Sequence, residues 1–347
     1  MAKSCWVTLV IIFILILALI FSFYFYNKGL NPVDEGNEEI ILFEIEKGWG
    51  VSDIAEALNQ KGIIGSEFAF KIHVFLSGNG SKLQAGIFEL SPSMTIPEVV
   101  DVLVESYEKQ TELKIIEGQR MEEVARYLEE QGIRGDFIEK AKVGNFKDSY
   151  DFLADMPDSR GLEGYLFPDT YKVNINSSVD NIIEKMLDNF ELKLQELPAP
   201  TNPQFNDLSD LVILASIIER EANMSNIERR RIAGVYVNRL KSSIKLQADP
   251  TVQYSKDTEN YQKSSNKKDF KFWQSITQTD YETVDGGYNT YRVNGLPPGP
   301  ICSPSFGSLA AAFNPEENDY YYFFHTESGN IIFSRTAEEH AANLQMY

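Results

Sequence analysis

Two carboxylates close a run that is otherwise almost wholly apolar, Leu211-Val-Ile-Leu-Ala-Ser-Ile-Ile-Glu-Arg-Glu221. Its first eight residues predict a helix buried on every side, capped by Ser209 or Asp210. Acids favour the positive N-terminal end of a helix, so Glu219 and Glu221 at the far end call for another reason. A two-residue step turns about 200°, which sends the two side chains to different sides. One turn back from Glu219 stand Ala215 and Ser216, small enough to leave room for a ligand. Behind Glu221 stand the bulkier Ile217 and Ile218. A carboxyl set against such a helix is costly to ionise. One that stays protonated near neutral pH gives its proton to a leaving oxygen, as glycosidase acids do. The plain alternative is a solvated helix end in which Arg220 forms an ion pair.

Other segments hold groups suited to a site. Gly161-Leu-Glu-Gly-Tyr-Leu-Phe-Pro-Asp-Thr-Tyr171 sets Glu163 among aliphatic and aromatic residues. Its glycines allow a sharp turn or a close approach to a ligand, and Pro168 keeps Phe167 out of the helical region. Leu246-Gln-Ala-Asp-Pro-Thr-Val-Gln253 reads as a loop. Tyr288-Asn-Thr-Tyr291, followed by a Gly- and Pro-rich stretch to Ile301, joins an amide (Asn289) to tyrosine rings (Tyr288, Tyr291). Rings stack on sugars and amides bind hydroxyls; an ordinary structural loop is the other reading.

These segments need elements to position them. Trp6 to Tyr26 carries no charge, and about 20 helical residues span a bilayer core. The run ends in bulky aromatics, unlike a signal-peptide cleavage site and similar to an interfacial belt, so an uncleaved anchor is expected. Residues 27–37 form a Gly/Pro linker. Strand, helix, helix and strand then follow at Glu38–Ile45, from Ser52, at Ser66–Leu76 and at Leu83–Leu90, with Thr95 capping a further helix. This order resembles a LysM module, a small glycan-binding fold. Gly48, Val51, Ile54, Ala55, Leu58, Gly62, Ile63 and Gly65 recur as Gly118, Met121, Val124, Ala125, Leu128, Gly132, Ile133 and Gly135, which reads as a duplicated unit. Amphipathic helices are expected at Val179–Leu197 and Ile227–Leu240. A hairpin turning at Ser328-Gly329 would put Tyr320–Phe324 in a sheet core.

The composition excludes some classes. Lys+Arg 32 against Asp+Glu 51 gives a net charge of −19, a poor match to nucleic acid. Two cysteines form no disulfide framework. Three scattered histidines show no zinc-site spacing. No cofactor or metal is implied.

Taken together, the sequence resembles the endolytic murein transglycosylases. The matching segments are Leu162–Tyr171, Ala215–Glu221, Val237-Asn-Arg-Leu240, Leu246–Val252, Tyr288–Tyr291 and Gly295-Leu-Pro-Pro-Gly-Pro300, in the family's order. The resemblance implies an α+β chain with residues 1–26 as a cytoplasmic stub and transmembrane anchor and 27–37 as linker. A LysM-like module at 38–108 and a mixed α+β catalytic region at 109–347 complete it. It implies cleavage of the N-acetylmuramic acid–N-acetylglucosamine bond in nascent peptidoglycan, leaving 1,6-anhydro ends. The catalytic glutamate falls on Glu219, acting as acid and then as base, with the substrate's own 6-hydroxyl as nucleophile. Glu163, Glu221, Gln247, Asp249, Asn289 and Tyr291 are the expected substrate-binding residues. Expected partners are glycan strands, the membrane and wall-synthesis proteins, with the catalytic part outside the cytoplasm. A hydrolytic muramidase using a second carboxylate, and a non-catalytic wall scaffold, are the competing expectations.

Overall fold

Apolar periodicity and capping residues set most elements of the chain. The computed structural model describes residues 2–108, 110–201, 207–221 and 225–347, with 2–12, 15, 18–19 and 106–108 described by backbone alone. Elements run in the order α1 (Ala2–Gly29), β1 (Ile41–Ile45), α2 (Val51–Gln60), α3 (Glu67–Ser77), β2 (Gly86–Leu90), α4 (Ile96–Glu108), β3 (Gln110–Lys114), α5 (Met121–Glu130), α6 (Phe137–Lys140) and β4 (Thr170–Asn174). There follow α7 (Val179–Glu196), α8 (Leu208–Glu219), α9 (Asn226–Lys241), α10 (Asp249–Lys263), α11 (Gln278–Thr283), α12 (Phe306–Phe313), β5 (Tyr322–His325), β6 (Ile331–Ser334) and α13 (Ala337–Met346). The result is a mixed α+β chain in which, among the described residues, each sheet has two strands.

The contacts divide the chain into two units. One comprises Met1–Glu112 with Ile133–Gly135 and Lys172–Asn181; the other comprises Leu113–Gly132, Asp136–Tyr171 and Ile182–Tyr347. In the first, β1 and β2 pair antiparallel, Phe43 opposite Phe88. Alternation along the strands turns Phe43, Ile45, Phe88 and Leu90 onto a core completed by α2, α3 and α4. Strand, helix, helix and strand thus occur in the expected order. Among the described residues no helix is long and apolar enough to cross a membrane. Many side chains of the predicted span Trp6–Tyr26 lie outside the described residues.

The sequence echo is structural. Helices α2 and α5 are both ten residues long. Each is entered through a left-handed glycine, Gly48 (φ 91°) or Gly118 (φ 74°), and left through another, Gly62 (φ 69°) or Gly132 (φ 79°). Asp53 and Glu123 each reach back to their helix's N-cap backbone, which satisfies a donor the helix leaves free.

In the second unit α8 is the central rod, with Leu211–Ile218 all buried. Its cap is Asp207, which accepts from the Ser209 amide at 2.9 Å, not the predicted Ser209 or Asp210. Helices α8, α9 and α12 pack together. Asp249, expected in a loop, instead opens α10, because the fixed φ of Pro250 suits a first helical turn. The hairpin forms as expected, Phe323 opposite Phe333. Its rings are half-buried and do not form a sheet core, since among the described residues helices α9 and α13, and no second sheet, pack on it. Gly164 (φ 88°) does serve a close approach, but to protein: a Cβ there would lie 2.5 Å from the Pro300 ring.

Gly234 shows how tightly α9 is seated, since a Cβ at this position would lie 2.2 Å from the Glu316 carbonyl oxygen and 2.4 Å from Asn318 Nδ2. Gly234→Ala should therefore destabilise the protein by about 1–3 kcal/mol, although alanine favours helix. Thermal unfolding should show a melting point lowered by several degrees; an unchanged or raised value would contradict this packing.

Candidate active site

Helix α8 carries Glu219 to its last turn, where the residue is partly exposed. The space beside Ala215 and Ser216 is not free for a ligand, as the sequence suggested. It is filled by residues 301–305, because Ser216 Oγ accepts the Ile301 amide (3.0 Å) and its carbonyl receives the Cys302 thiol (3.3 Å). This register brings Ser305 to Glu219. The Ser305 amide (2.9 Å) and hydroxyl (2.5 Å) both donate to Glu219 Oε2. Ser305 also caps α12, accepting from the Ser308 amide, so the carboxylate sits where a helix N-terminus offers backbone donors to anions. Both bonds thus fall on Oε2, and Oε1 takes no part in them.

The turn before α5 closes the other flank. Gly118 donates to the Ser303 carbonyl at 2.8 Å. A Cβ on Gly118 would stand 3.6 Å from Glu219 Cγ and 3.1 Å from Arg220 Nη1. Next to it, Glu117 is a second carboxyl of the site. Partial burial, then the negative charge of Glu219, hold it above its ordinary pKa, while Arg229 acts in the opposite direction. Arg220 does not pair with the flanking acids. Its guanidinium lies 3.8 Å over the Trp273 ring and donates to the Gly118 carbonyl at 3.3 Å. Trp273 is held at φ 62°, a costly conformation for a bulky residue. Buried Asp257 holds it there by accepting both the Trp273 and the Gln274 amides.

Glu221 faces elsewhere, as the two-residue step requires. With Gln247, Asp249 and Tyr291 it lines a cavity of about 360 Å³ walled by Tyr322, Phe324, His325 and His340. The Tyr236 hydroxyl donates to Glu221. The residue is partly exposed, but its carboxyl is enclosed, and this burial pushes its pKa up to about 7; the Tyr236 hydrogen bond resists the shift and the Asp249 charge adds to it. Asp249 accepts the Tyr291 hydroxyl at 2.6 Å. Gln247, at φ 51°, accepts from Arg239. Gln247 and Tyr291 also border a shallower hollow of about 580 Å³ with Tyr281 and Arg292, so the two hollows adjoin.

The structure therefore gathers Glu221, Gln247, Asp249 and Tyr291, and places the other two candidates in supporting positions. Asn289 is fully buried; its amide donates to the Tyr281 and Val284 carbonyls, and its oxygen accepts the Tyr291 amide at 3.1 Å. It holds the Tyr291 loop, both N–H donors are used, and its burial keeps it out of contact with solvent. Glu163 is buried, with one oxygen on the Met121 amide (3.2 Å) and the other without a partner. Burial, then the charge of Glu122, raise its pKa, and Arg120 opposes them. Ser305, Glu117 and Trp273 are site residues that sequence reasoning missed. Only Ser305 carried a local signal, as a cap before the apolar run Phe306–Phe313.

Glu219, partly exposed and fixed through Ser305, and the separate aromatic and polar hollow at Glu221 thus stand at and just beyond the end of one buried helix of an α+β scaffold. Residues 43–346 match the YceG-like family, and the chain belongs to it. A Bacillus subtilis (strain 168) protein named endolytic murein transglycosylase is 29% identical over 93% of this chain and 89% of its own length. A protein of the same name from Streptococcus pneumoniae (D39 / NCTC 7466) is 25% identical over 96% of this chain, which spans 64% of that longer protein. A crystal structure of a YceG-like protein from Listeria monocytogenes shares 30% identity, covers 88% of this chain and 99% of its own, and superposes with a TM-score of 0.54.

Two outcomes are expected. Ser305→Ala removes one of the two hydrogen bonds that orient Glu219, a loss of about 1–3 kcal/mol, so turnover should fall about 5- to 100-fold. Ser305→Thr, which keeps hydroxyl and cap, should restore most of it; equal losses in both variants would show that the hydroxyl does not orient the carboxylate. The second outcome concerns Glu221. Its folded pKa of about 7 lies above the ordinary glutamate value of 4.5, so between these values the folded state binds more protons than the unfolded one. Its contribution to stability is present at low pH and is lost as pH rises from about 4.5 to 7. Glu221→Gln, whose oxygen still accepts from Tyr236, should melt higher relative to wild type at pH 8 than at pH 5. The same difference in melting point at both pH values would refute the assignment.

Proposed function

We propose that the protein is a lytic transglycosylase of the bacterial cell wall. On this reading it cuts N-acetylmuramic acid–N-acetylglucosamine bonds within nascent peptidoglycan strands and leaves 1,6-anhydro ends. The observation that carries the reading is Glu219, whose Oε2 is fixed by Ser305 at the end of a buried helix. Family membership and the relatives' names support it. Glu219 Oε1–H protonates the glycosidic oxygen as the bond to C1 breaks. The resulting carboxylate takes the proton of the muramic 6-hydroxyl as that oxygen closes on C1, so the substrate supplies the nucleophile and no second protein carboxylate is required. Gln247, Asp249, Tyr291 and Glu221 bind the strand through hydroxyls and amides, with the rings of the hollow against sugar faces. In this reading Trp6–Tyr26 of α1 anchors the chain in the cell membrane, the rest lies outside the cytoplasm, and the LysM-like region holds glycan near wall-synthesis proteins.

Glu117 favours a second reading. A carboxyl beside Glu219, raised partly by its charge, is where a water-activating base would stand in a hydrolytic muramidase. Product analysis on intact sacculi separates the two. The wild type should give anhydro-ended muropeptides with no oxygen taken from labelled water; labelled reducing ends would establish hydrolysis. Glu219→Gln keeps shape and hydrogen bonding but shuttles no proton, so turnover should fall by about 10²–10⁴ with glycan binding retained. Near wild-type cleavage by this variant would move the acid to Glu117 or Glu221.

A further inference from the structure

Within the first unit, α3 presents an apolar stripe that no described residue covers. Phe68 is 58% exposed, Phe75 80% and Leu76 67%, with Ile72 partly exposed between them. Spacings of four, seven and eight residues put all four on one helix face. The opposite face, Ala69, Phe70 and Val74, is fully in the core. The stripe is thus surplus to folding, and three large exposed apolar side chains on one short helix mark an interaction surface.

Its place relative to α1 identifies the partner. Gly29 packs on Ser66 and Ala69, where a Cβ would come within 2.8 Å of Ala69 Cβ. The Tyr26 hydroxyl meets His73 Nδ1 at 3.2 Å. Moving along α3 from Ala69 to His73 therefore moves backwards along α1 from Gly29 to Tyr26, so the two helices run in opposite senses. Three residues past His73, about 4.5 Å further at ~1.5 Å per residue, Leu76 comes level with the region of Phe23. That part of α1 is itself exposed and aromatic, with Phe21, Phe23, Tyr24 and Phe25 each more than half exposed. Aromatic residues of this kind mark the bilayer–water interface. Lys71, paired with Glu67 at 3.1 Å, flanks the stripe where headgroup phosphates would lie.

We propose that the Phe75–Leu76 end of this apolar face of α3 seats in the interfacial layer of the lipid bilayer beside α1, with Phe68 about 12 Å further along α3 on the outer side. The proposal rests on the reading of α1 as an anchor. It goes beyond that reading because the first unit then lies on the membrane surface and does not swing on its linker. Shallow insertion of Phe75 and Leu76 also fixes which way this unit faces.

The test uses the full chain in phosphatidylcholine vesicles, with Cys5→Ser throughout; Cys302 is buried. An environment-sensitive fluorophore is placed singly by Phe75→Cys, by Phe25→Cys on the anchor, or by Glu56→Cys on the exposed side of α2. Each label is quenched by spin-labelled lipid and by aqueous iodide. The proposal expects the labels at 75 and 25 to be quenched by lipid and shielded from iodide, and the label at 56 to behave in the opposite way. A lipid-quenched label at 25 with an iodide-quenched label at 75 would overturn the proposal and leave the anchor intact. Iodide quenching at all three positions would overturn the anchor, and the proposal with it.

Discussion

The hydroxyl of Ser216 is the point on which the second unit's site depends. It lies fully buried in an almost wholly apolar stretch of helix, where an unmatched hydroxyl is costly. Its own donor goes to the Ile213 carbonyl at 2.7 Å, and its lone pair takes the Ile301 amide. That bond fixes which residue of the 301–305 segment lies beside which turn of α8. Ser303 then exchanges hydrogen bonds with the Gly118–Gln119 backbone, and Ser305 reaches Glu219. A slip of one residue would withdraw both donors from the carboxylate at once. The site is thus a register held by three chain segments, which gives Glu219 a rigid support.

Much of this was legible from the sequence, for reasons that differ by element. The buried helix α8 was written in eight consecutive apolar or small residues. The divergence of Glu219 and Glu221 followed from helix geometry alone, and the costly ionisation expected there appears at Glu221. The echo between α2 and α5 was readable because positive-φ turns demand glycine at fixed offsets. The hairpin declared itself through its Ser-Gly turn. All of these are local rules acting over a few residues.

What stayed hidden depends on distance along the chain. Ser305 meets Glu219 across 86 residues, and no periodicity reports such a meeting. Arg220 looked like the partner of its neighbouring acids because sequence shows only neighbours; the fold gave it the face of Trp273. Asn289 had the chemistry of a sugar ligand, yet its polar atoms are spent on the loop that aims Tyr291. The run Tyr320–Phe324 suggested a core, but a lone two-stranded ribbon leaves its rings free to wall a hollow.

The duplicated unit has grown in only one of its copies. Between α3 and β2 the first copy needs residues 78–85 to turn back, whereas between α6 and β4 the second carries residues 141–169. The longer excursion brings in Glu163 and the Gly164 turn that packs on Pro300. A β-α-α-β unit therefore accepts about twenty extra residues at this point without losing its strands, since loop closure costs only about 0.6 kcal/mol per doubling of length. The short loop at 78–85 is the matching joint in the first copy. It offers a place to splice in a tag, a reporter or a foreign binding module while the scaffold on either side remains whole.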